Sequence, residues 1–353
     1  MKKLDISQTS PKTRRFPTFY SSLAPARVTE VFDTYWKFAA ERQKVFFRRI
    51  EEHPSPYTDD PIMQVYKFTN AYRASDRTSQ YLIKNVIYGG DQTPEELFFR
   101  IILFKIFNKI DTWRMLLSRF EVISYSEYNF ADYDRVLTES IEKGQKIFSN
   151  AYIMPTGRQE LASQRKHRTF LLLLELMMKK EVPRRLAEAR SMKQAFDLLR
   201  SFPLIGNFLA YQYCTDINYS SLVNFSEMEF VIPGPGAKDG IRKCFSDLGG
   251  LNESDIIRMM ADRQEVEFKR LGIDFRSLWG RKLQLIDCQN LFCEVDKYAR
   301  VFHPTVQGIS RRTKIKQFFR QSDTPIDYWY PPKWKINGSI KLGTLESSKD
   351  CNS

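Results

Sequence analysis

Carboxylate, amide and amine side chains recur at helical spacing late in the chain. Asp287, Asn290, Glu294 and Lys297 are three or four residues apart, so a helix would place them on one face. Asp287 and Glu294 could then perform acid–base chemistry, or they could hold Lys297 in an ion-pair network. Paired acids also suit a divalent cation, but one helix supplies too few ligands, so we predict no metal site.

A second group of polar side chains is predicted to lie on a helix earlier in the chain. The apolar spacing from Ile62 to about Tyr88 predicts one long helix. Its polar residues, most of which would share one helical face, are Asn70, Arg73, Asp76, Arg77 and Gln80. A polar stripe among aromatic residues could bind phosphates or an extruded base. The alternative is a buried hydrogen-bond network that braces the helices.

A proline and a glycine predict a sharp corner between two helices. One helix is expected to end before Pro203 and the next to begin near Phe208, with Gly206 as the hinge. The free backbone N–H groups at the start of the second helix attract anions such as a DNA phosphate. We therefore predict that Ile205, Gly206 and Asn207 contact a DNA backbone, and the alternative is an ordinary corner between helices.

A second glycine-rich turn follows in the segment Pro233-Gly234-Pro235-Gly236. It is not a Walker A loop, because no Gly-Lys-Ser/Thr follows it. We predict either a tight loop between helices or a second contact with a DNA backbone. The residues that would make this contact are Gly234, Gly236, Lys238, Arg242 and Lys243.

The composition suits a polyanionic partner. The chain has 55 Lys and Arg against 42 Asp and Glu, a formal net charge of +13, and each neutralised phosphate releases counterions. The five cysteines form no Cys-x-x-Cys pair and the three histidines lie far apart, so we expect a reducing cytoplasm and no cofactor. The longest apolar run, residues 170–178, is far short of the roughly 20 residues that span a bilayer, so we expect no membrane partner.

The elements that must position these residues are predicted to be mainly α-helical. Apolar residues recur every three to four positions over most of the chain, and Thr93-Pro94 followed by two glutamates is typical of a helix start. We divide the chain into a flexible basic arm (1–27), an N-terminal helical region (28–195), a region containing the Gly206 corner (196–306) and a basic C-terminal extension (307–353). The cations of an acid-free run in this extension are Arg311, Arg312, Lys314, Lys316 and Arg320.

The Gly206 corner resembles the hairpin of the helix-hairpin-helix DNA glycosylase superfamily, although Leu204 stands where that motif usually has its first glycine. The resemblance implies a helical bundle of the helix-hairpin-helix DNA glycosylase type. It also implies an essential carboxylate some way beyond the hairpin, which here points to Glu227 and Glu229. Phe208 stands where bifunctional members carry a Schiff-base lysine, which implies that water is the nucleophile.

Longer motifs resemble a second family. They include Tyr66-Lys67-Phe68-Thr69-Asn70-Ala71-Tyr72-Arg73-Ala74 and Asp287-Cys288-Gln289-Asn290-Leu291-Phe292-Cys293-Glu294. Together they resemble the α-glutamyl/putrescinyl-thymine pyrophosphorylase family, which includes the helical domain of the 5-hydroxymethyl-deoxyuridine DNA kinases. This resemblance implies a role in the hypermodification of phage DNA or in the defence against it. No separate P-loop segment is found in the sequence, so kinase activity is not expected.

These patterns lead to three functional hypotheses. The first is a monofunctional DNA glycosylase that excises a bulky modified pyrimidine from phage DNA. The second is a transferase that attaches an amino acid or amine to an activated 5-hydroxymethylpyrimidine, and the third is a non-catalytic DNA-binding module. The candidate catalytic residues are Glu227, Glu229 and Asp287. Beside the polar group at 70–80, the candidate base-binding residues are Phe208, Tyr211, Gln289, Asn290 and Glu294.

Overall fold

The computed structural model describes residues 25–150, 165–322 and 325–340. The described residues form a mainly helical protein, as predicted, with a single two-stranded antiparallel ribbon. The ribbon pairs β1 (Arg27–Val28) with β2 (Phe245–Asp247). The first 24 residues of the predicted basic arm and the last 13 residues of the predicted extension lie outside the described residues.

The helices of the first half of the chain are α1 (Val31–Ile50), α2 (Pro61–Val65), α3 (Arg77–Tyr81), α4 (Pro94–Phe107), α5 (Ile110–Phe120), α6 (Phe130–Glu142) and α7 (Lys166–Lys179). Those of the second half are α8 (Val182–Ala187), α9 (Met192–Arg200), α10 (Asn207–Ile217), α11 (Pro235–Cys244), α12 (Glu253–Arg270) and α13 (Leu285–Phe302). None of the described helices is long and apolar enough to cross a membrane.

Two helices form the centre of the core. In α4, every residue from Leu97 to Phe107 is buried, so this helix is surrounded by protein on all sides. Its start follows the predicted pattern, with Thr93 as the N-cap and Pro94 in the first turn. α13 packs against α1, α11 and α12, and its apolar face is buried while its polar face borders a cavity.

The close approach of α11 to α13 depends on one glycine. A Cβ at Gly240 would lie 2.0 Å from the carbonyl oxygen of Phe292, so only glycine fits there. This contact places the start of α11 beside the polar face of α13.

The prediction of one long helix from Ile62 to Tyr88 is wrong. α2 ends at Val65, and the chain then runs in an extended conformation before a short 3₁₀ turn, Arg73–Ser75, and α3. The backbone groups that a helix would have used are paired elsewhere. The N–H of Lys67 donates to the carbonyl of Gln317 at 3.0 Å, and the N–H of Thr69 donates to Glu294 at 2.9 Å. Pairing with distant segments therefore overrides the local helical pattern.

Candidate functional site

A cavity of about 740 Å³ lies between the starts of α10 and α11, the polar face of α13, and residues 310–317. We call it the α13 cavity. It brings together six of the candidate catalytic and binding residues, from four separate parts of the chain. They are Arg73, Phe208, Gly236, Gln289, Asn290 and Glu294. Lys297 and the cations Arg311, Arg312, Lys314 and Lys316 also line it, whereas the remaining candidate catalytic and binding residues do not.

Two neighbouring amides, Gln289 and Asn290, lie on the wall that α13 provides. The Asn290 amide nitrogen donates to Thr69 Oγ1 at 2.9 Å and to the Asn70 carbonyl at 3.3 Å, which fixes its orientation. The Gln289 amide nitrogen lies 3.3 Å from Cys293 Sγ. Carboxamides offer both donors and acceptors, the combination that reads the edge of an extruded nucleobase.

Charged side chains on the same helix are already paired. Glu294 accepts the Lys297 ammonium at 2.6 Å, so these two residues form the ion pair that helical spacing allowed. Asp296 pairs with the buried Lys243 at 3.0 Å and also with Arg300. The prediction that Lys243 contacts DNA phosphate is therefore wrong, since Lys243 holds α11 against α13 inside the protein.

Arg73 forms the back wall of the α13 cavity within a buried ionic network. Its guanidinium donates to both carboxylate oxygens of Asp216, at 2.7 and 3.1 Å, and to Gln212 Oε1 at 3.1 Å. Lys105 reaches the same carboxylate at 3.1 Å. Burial raises the pKa of Asp216, but Arg73 and Lys105 outweigh burial and hold that pKa below its ordinary value. Arg73 and Lys105 thus share the Asp216 carboxylate in the back wall of the cavity.

Asp287 lies behind this wall and does not line the cavity. Its carboxylate accepts the backbone N–H of Arg73 at 2.8 Å and that of Gln284 at 3.0 Å, completing a capping box at the start of α13. Burial raises the pKa of Asp287 to about 6. The geometry favours the bracing alternative for this residue, because its oxygens hold the Arg73 turn against α13.

The two acids selected after the Gly206 corner lie apart from the α13 cavity. Glu227 pairs with Arg281 at 2.6 Å, and the Arg281 guanidinium lies over the Trp334 ring at 3.8 Å. Glu229 is exposed, and its carbonyl accepts a hydrogen bond from Arg258 at 2.6 Å. Tyr211 is fully buried, and its hydroxyl has no hydrogen-bond partner among the described residues.

The corner itself has the predicted form. α9 ends at Arg200 and α10 begins at Asn207, with Gly206 as an N-cap that provides no side-chain hydrogen bond. Leu204 has a φ of +66°, the left-handed conformation that favours glycine. This is the position at which the glycosylase-type hairpin usually carries its first glycine.

The starts of α10 and α11 are neighbours. A Cβ at Gly234 would lie 2.8 Å from the Phe208 ring, so the Gly234 turn packs tightly on this aromatic side chain. Gly234 is likewise an N-cap without a side-chain hydrogen bond. Of the nearby cations, Lys238 is exposed, whereas Arg242 lies 3.7 Å from Glu253.

The polar group at 70–80 braces the fold rather than sharing one helical face. Asn70 accepts from Arg42 at 3.0 Å and donates to the Ser75 carbonyl at 2.8 Å. Asp76 accepts the Asn70 N–H at 2.9 Å, and burial raises the pKa of Asp76 to about 7. Gln80 accepts the N–H of Trp329 at 2.7 Å, and Arg77 donates to Ser322 at 3.2 Å. Of this group, only Arg73 reaches the α13 cavity.

Residues 309–320 contain the acid-free run of cations, for which the sequence predicts no site. This segment, which we call the cationic strap, forms the outer wall of the α13 cavity. The strap is held to α11 by Asp239, which accepts from Ser310 at 2.7 Å and from Arg312 at 2.8 Å. The run of five cations without an acid was the feature that could have identified it.

Comparison with known proteins identifies the family of the chain. A family model described as "5-hmdU DNA kinase, helical domain" matches residues 29–308, most of the chain, so the protein belongs to this family. A curated relative, the 5-hmdU DNA kinase of Bacillus phage SP10, is 26% identical over 335 residues. The alignment covers 88% of this chain and 51% of the relative, so the chain spans about half the length of that protein. No solved structure matches.

The family corrects the main functional hypothesis. A kinase transfers a phosphoryl group, whereas a glycosylase hydrolyses the bond between base and sugar. The matched family model and the curated relative are both named as a kinase. The expectation of a monofunctional DNA glycosylase is therefore wrong, and with it the assignment of Glu227 and Glu229 as the acids of that reaction. The pairing of Glu227 with Arg281 agrees with this correction, since the carboxylate is held in an ion pair away from the α13 cavity.

Proposed function

We propose that this chain binds DNA and receives a 5-substituted pyrimidine base in the α13 cavity, where it transfers a group at the 5-substituent. The observation that carries the proposal is the amide pair of Gln289 and Asn290, with the Arg73 wall behind it and the cationic strap in front. The family match adds that the relatives are named for a modified deoxyuridine in DNA.

Base recognition in this proposal relies on groups that are already oriented. Asn290 is fixed through its amide nitrogen, and its amide oxygen makes no hydrogen bond to a described residue, so that oxygen can accept from a pyrimidine N–H. Phe208 offers an aromatic surface at the same wall. A base must leave the helical stack to reach such a cavity, as in other enzymes that act on bases.

The Gly206 corner is proposed to hold the DNA backbone beside the cavity. Neither Gly206 nor Gly234 provides a side-chain cap, so the first N–H groups of α10 and α11 are available to phosphate oxygens. The left-handed Leu204 supports a hairpin of the helix-hairpin-helix kind at this corner. Lys238 is exposed in the first turns of α11, where it can add a cation to this contact.

The reaction we favour is displacement at an activated 5-hydroxymethyl group. The bond between the exocyclic carbon and its phosphate oxygen breaks, and the phosphate or diphosphate leaves with the electron pair. An amine nitrogen forms the new bond to that carbon and then loses one proton to a base. Arg73 provides positive charge on the side where the leaving group gains charge, and two acidic residues, Glu294 and Asp296, line the same space.

Phosphoryl transfer to the 5-hydroxymethyl oxygen is the second candidate, because the curated relative is named as a kinase. The two reactions differ in their products. Displacement replaces the phosphate by an amine, whereas phosphoryl transfer adds a phosphate to the hydroxyl.

A binding and mass-spectrometry experiment tests the proposal. Oligonucleotides that differ in one residue, thymidine, 5-hydroxymethyl-deoxyuridine or its phosphate ester, are incubated with the full chain, with and without amines and ATP. We expect tighter binding of the modified strands, and Asn290→Ala should reduce that preference about 5- to 150-fold, the usual effect of losing a base contact.

The controls separate recognition from general DNA affinity. Lys180→Ala removes an exposed cation at the end of α7, a helix that packs on α4, α6 and α8, and it should leave the preference unchanged. A protein that binds all three oligonucleotides equally, with no mass change on any of them, would contradict the proposal. An added phosphoryl mass that requires ATP would favour the second candidate.

A further inference from the structure

The cationic strap combines exposed aromatic rings with cations that form no ion pair with a described acid. Phe318 is 61% exposed and Phe319 is 42% exposed, although both are large apolar side chains. No described acid forms an ion pair with any of four strap cations, which are Arg311, Lys314, Lys316 and Arg320. Exposed aromatic rings next to these cations suit a ligand that has both aromatic rings that can stack and negative charges.

The strap is fixed firmly enough to form a binding surface. Arg300 of α13 donates to the Lys314 carbonyl at 2.9 Å, and Ile315 is buried as an apolar anchor. Further along, the Lys67 N–H donates to the Gln317 carbonyl at 3.0 Å, and the Phe319 N–H donates to the Val65 carbonyl at 2.9 Å. These contacts hold the strap in an extended conformation against the segment after α2.

The extended backbone sets the pattern of side chains. Because successive residues of an extended chain point to opposite sides, Lys314, Lys316 and Phe318 share the side opposite the buried Ile315. Residues on one side recur about every 6.6 Å. The Phe318 ring stacks on Tyr66 at 5.5 Å with an interplanar angle of 29°, so one ring face is supported and the ring is oriented.

We propose that the cationic strap binds single-stranded DNA, with phosphates on Lys314 and Lys316 and an unpaired base stacked on Phe318. The cations alone would serve a duplex equally well, since duplex and single strand both carry phosphates. The exposed aromatic rings decide between them, because the base faces of a duplex are already covered by stacking, whereas those of a single strand are open.

This inference rests on the proposed function in one respect. The single strand bound by the strap would be the substrate whose modified base enters the α13 cavity. The strap lines that cavity on one side and carries Phe318 a few residues further on. A nucleotide next to the modified one can therefore stack on Phe318 while the modified base enters the cavity. An unpaired strand also requires the least energy to release the base.

Fluorescence anisotropy with unmodified DNA tests the strap separately from base recognition. The probes are one labelled oligonucleotide, alone and annealed to its complement, titrated with the full chain at several salt concentrations. We expect the single strand to bind more tightly than the duplex, and Phe318→Ala to weaken single-strand binding about 5- to 150-fold, the usual contribution of one stacked base. Phe318→Trp should retain the binding, whereas Phe318→Leu should not.

The salt dependence tests the cations. Replacing Lys314 and Lys316 together by alanine should lower the slope of log K against log salt by about 1.4 for the single strand. Replacing Lys179 and Lys180 together removes the same charge from the end of α7 and should weaken binding much less, with no loss of strand preference.

The outcomes separate the two proposals. Equal or tighter binding of the duplex, together with unchanged affinity in Phe318→Ala, would overturn the strap proposal and leave the base-recognition test untouched. Association of the protein with itself through Phe318, seen as a change of mass in Phe318→Ala by light scattering, would also overturn it. Retained single-strand preference without any preference for modified bases would contradict the proposed function alone.

Discussion

Replacing Gly240 by alanine tests the contact that positions α11 beside the α13 cavity. In an unconstrained helix interior this change stabilises a protein by about 0.5–1 kcal/mol, because glycine loses more backbone entropy on folding. Here the new Cβ would lie 2.0 Å from the Phe292 carbonyl oxygen and 2.7 Å from its carbon. Real Cβ contacts stay beyond 3.0 Å, so the two helix backbones must separate by about 1 Å.

The clash reverses the sign of the expected effect. Both partners are backbone atoms, so no flexible side chain can move aside, and overpacking of this kind costs about 1–3 kcal/mol or more. With an unfolding entropy near 2.1 cal/mol/K per residue, a chain of 353 residues loses about 1.3 °C of Tm for each kcal/mol. We therefore expect a Tm about 1–4 °C below that of the wild type.

Calorimetry or circular dichroism measures this change, and Gly338→Ala is the matched control. A Cβ at Gly338 meets nothing within 4 Å, so its Tm should be unchanged or slightly higher. The widened gap between α11 and α13 should also weaken binding of modified DNA. A Gly240→Ala protein that melts at or above the wild-type temperature would refute the close contact.

Three further substitutions test the ionic contacts and the burial of individual charged groups. Asp216→Asn removes the carboxylate that contacts both buried cations, Arg73 and Lys105, so chemical denaturation should show a loss of about 3–5 kcal/mol, and a loss below 1 kcal/mol would contradict the network. Burial raises the pKa of Asp76 to about 7. The folded protein therefore retains a proton that the unfolded chain releases near pH 4. The stability that this bound proton contributes is full below pH 4 and is lost as the pH rises to 7. The free energy of unfolding of Asp76→Asn, measured from pH 4 to 7, should therefore fall less steeply than that of the wild type, and identical slopes would refute the shift. Burial lowers the pKa of Lys333 to about 8, and the negative charge of Glu227 opposes this shift. Glu227→Gln should therefore lower the pKa of Lys333 further, as measured by NMR titration of methylated lysines. An unchanged pKa would show that the two groups do not interact.

Local sequence patterns predict the elements whose contacts are local. The spacing of Asp287, Asn290, Glu294 and Lys297 predicts one helix, and α13 carries all four, with Glu294 and Lys297 paired. The proline and glycine at 203 and 206 likewise predict the corner before α10. In both cases the chemistry that determines the structure lies within a few residues of the motif.

Long-range pairing explains what the sequence did not reveal. The segment after Val65 has a helical pattern, but its backbone pairs with a strap about 250 residues later, and no local pattern reports such a partner. The carboxylate that pairs with Arg73 is 143 residues away. The functional class depended on family resemblance, and the hairpin alone favoured the wrong reaction, because a phosphate-binding corner is compatible with many chemistries.

Photocrosslinking tests the central claim most directly. A strand that carries one 5-iodo-deoxyuridine, a 5-substituted pyrimidine, is irradiated with the full chain, and the crosslinked peptides are sequenced by mass spectrometry. We predict that the base crosslinks to residues of α13, the start of α10 or the cationic strap, and that Asn290→Ala lowers the yield. Crosslinks confined to α5–α8, with the same yield in Asn290→Ala, would contradict a base site in the α13 cavity.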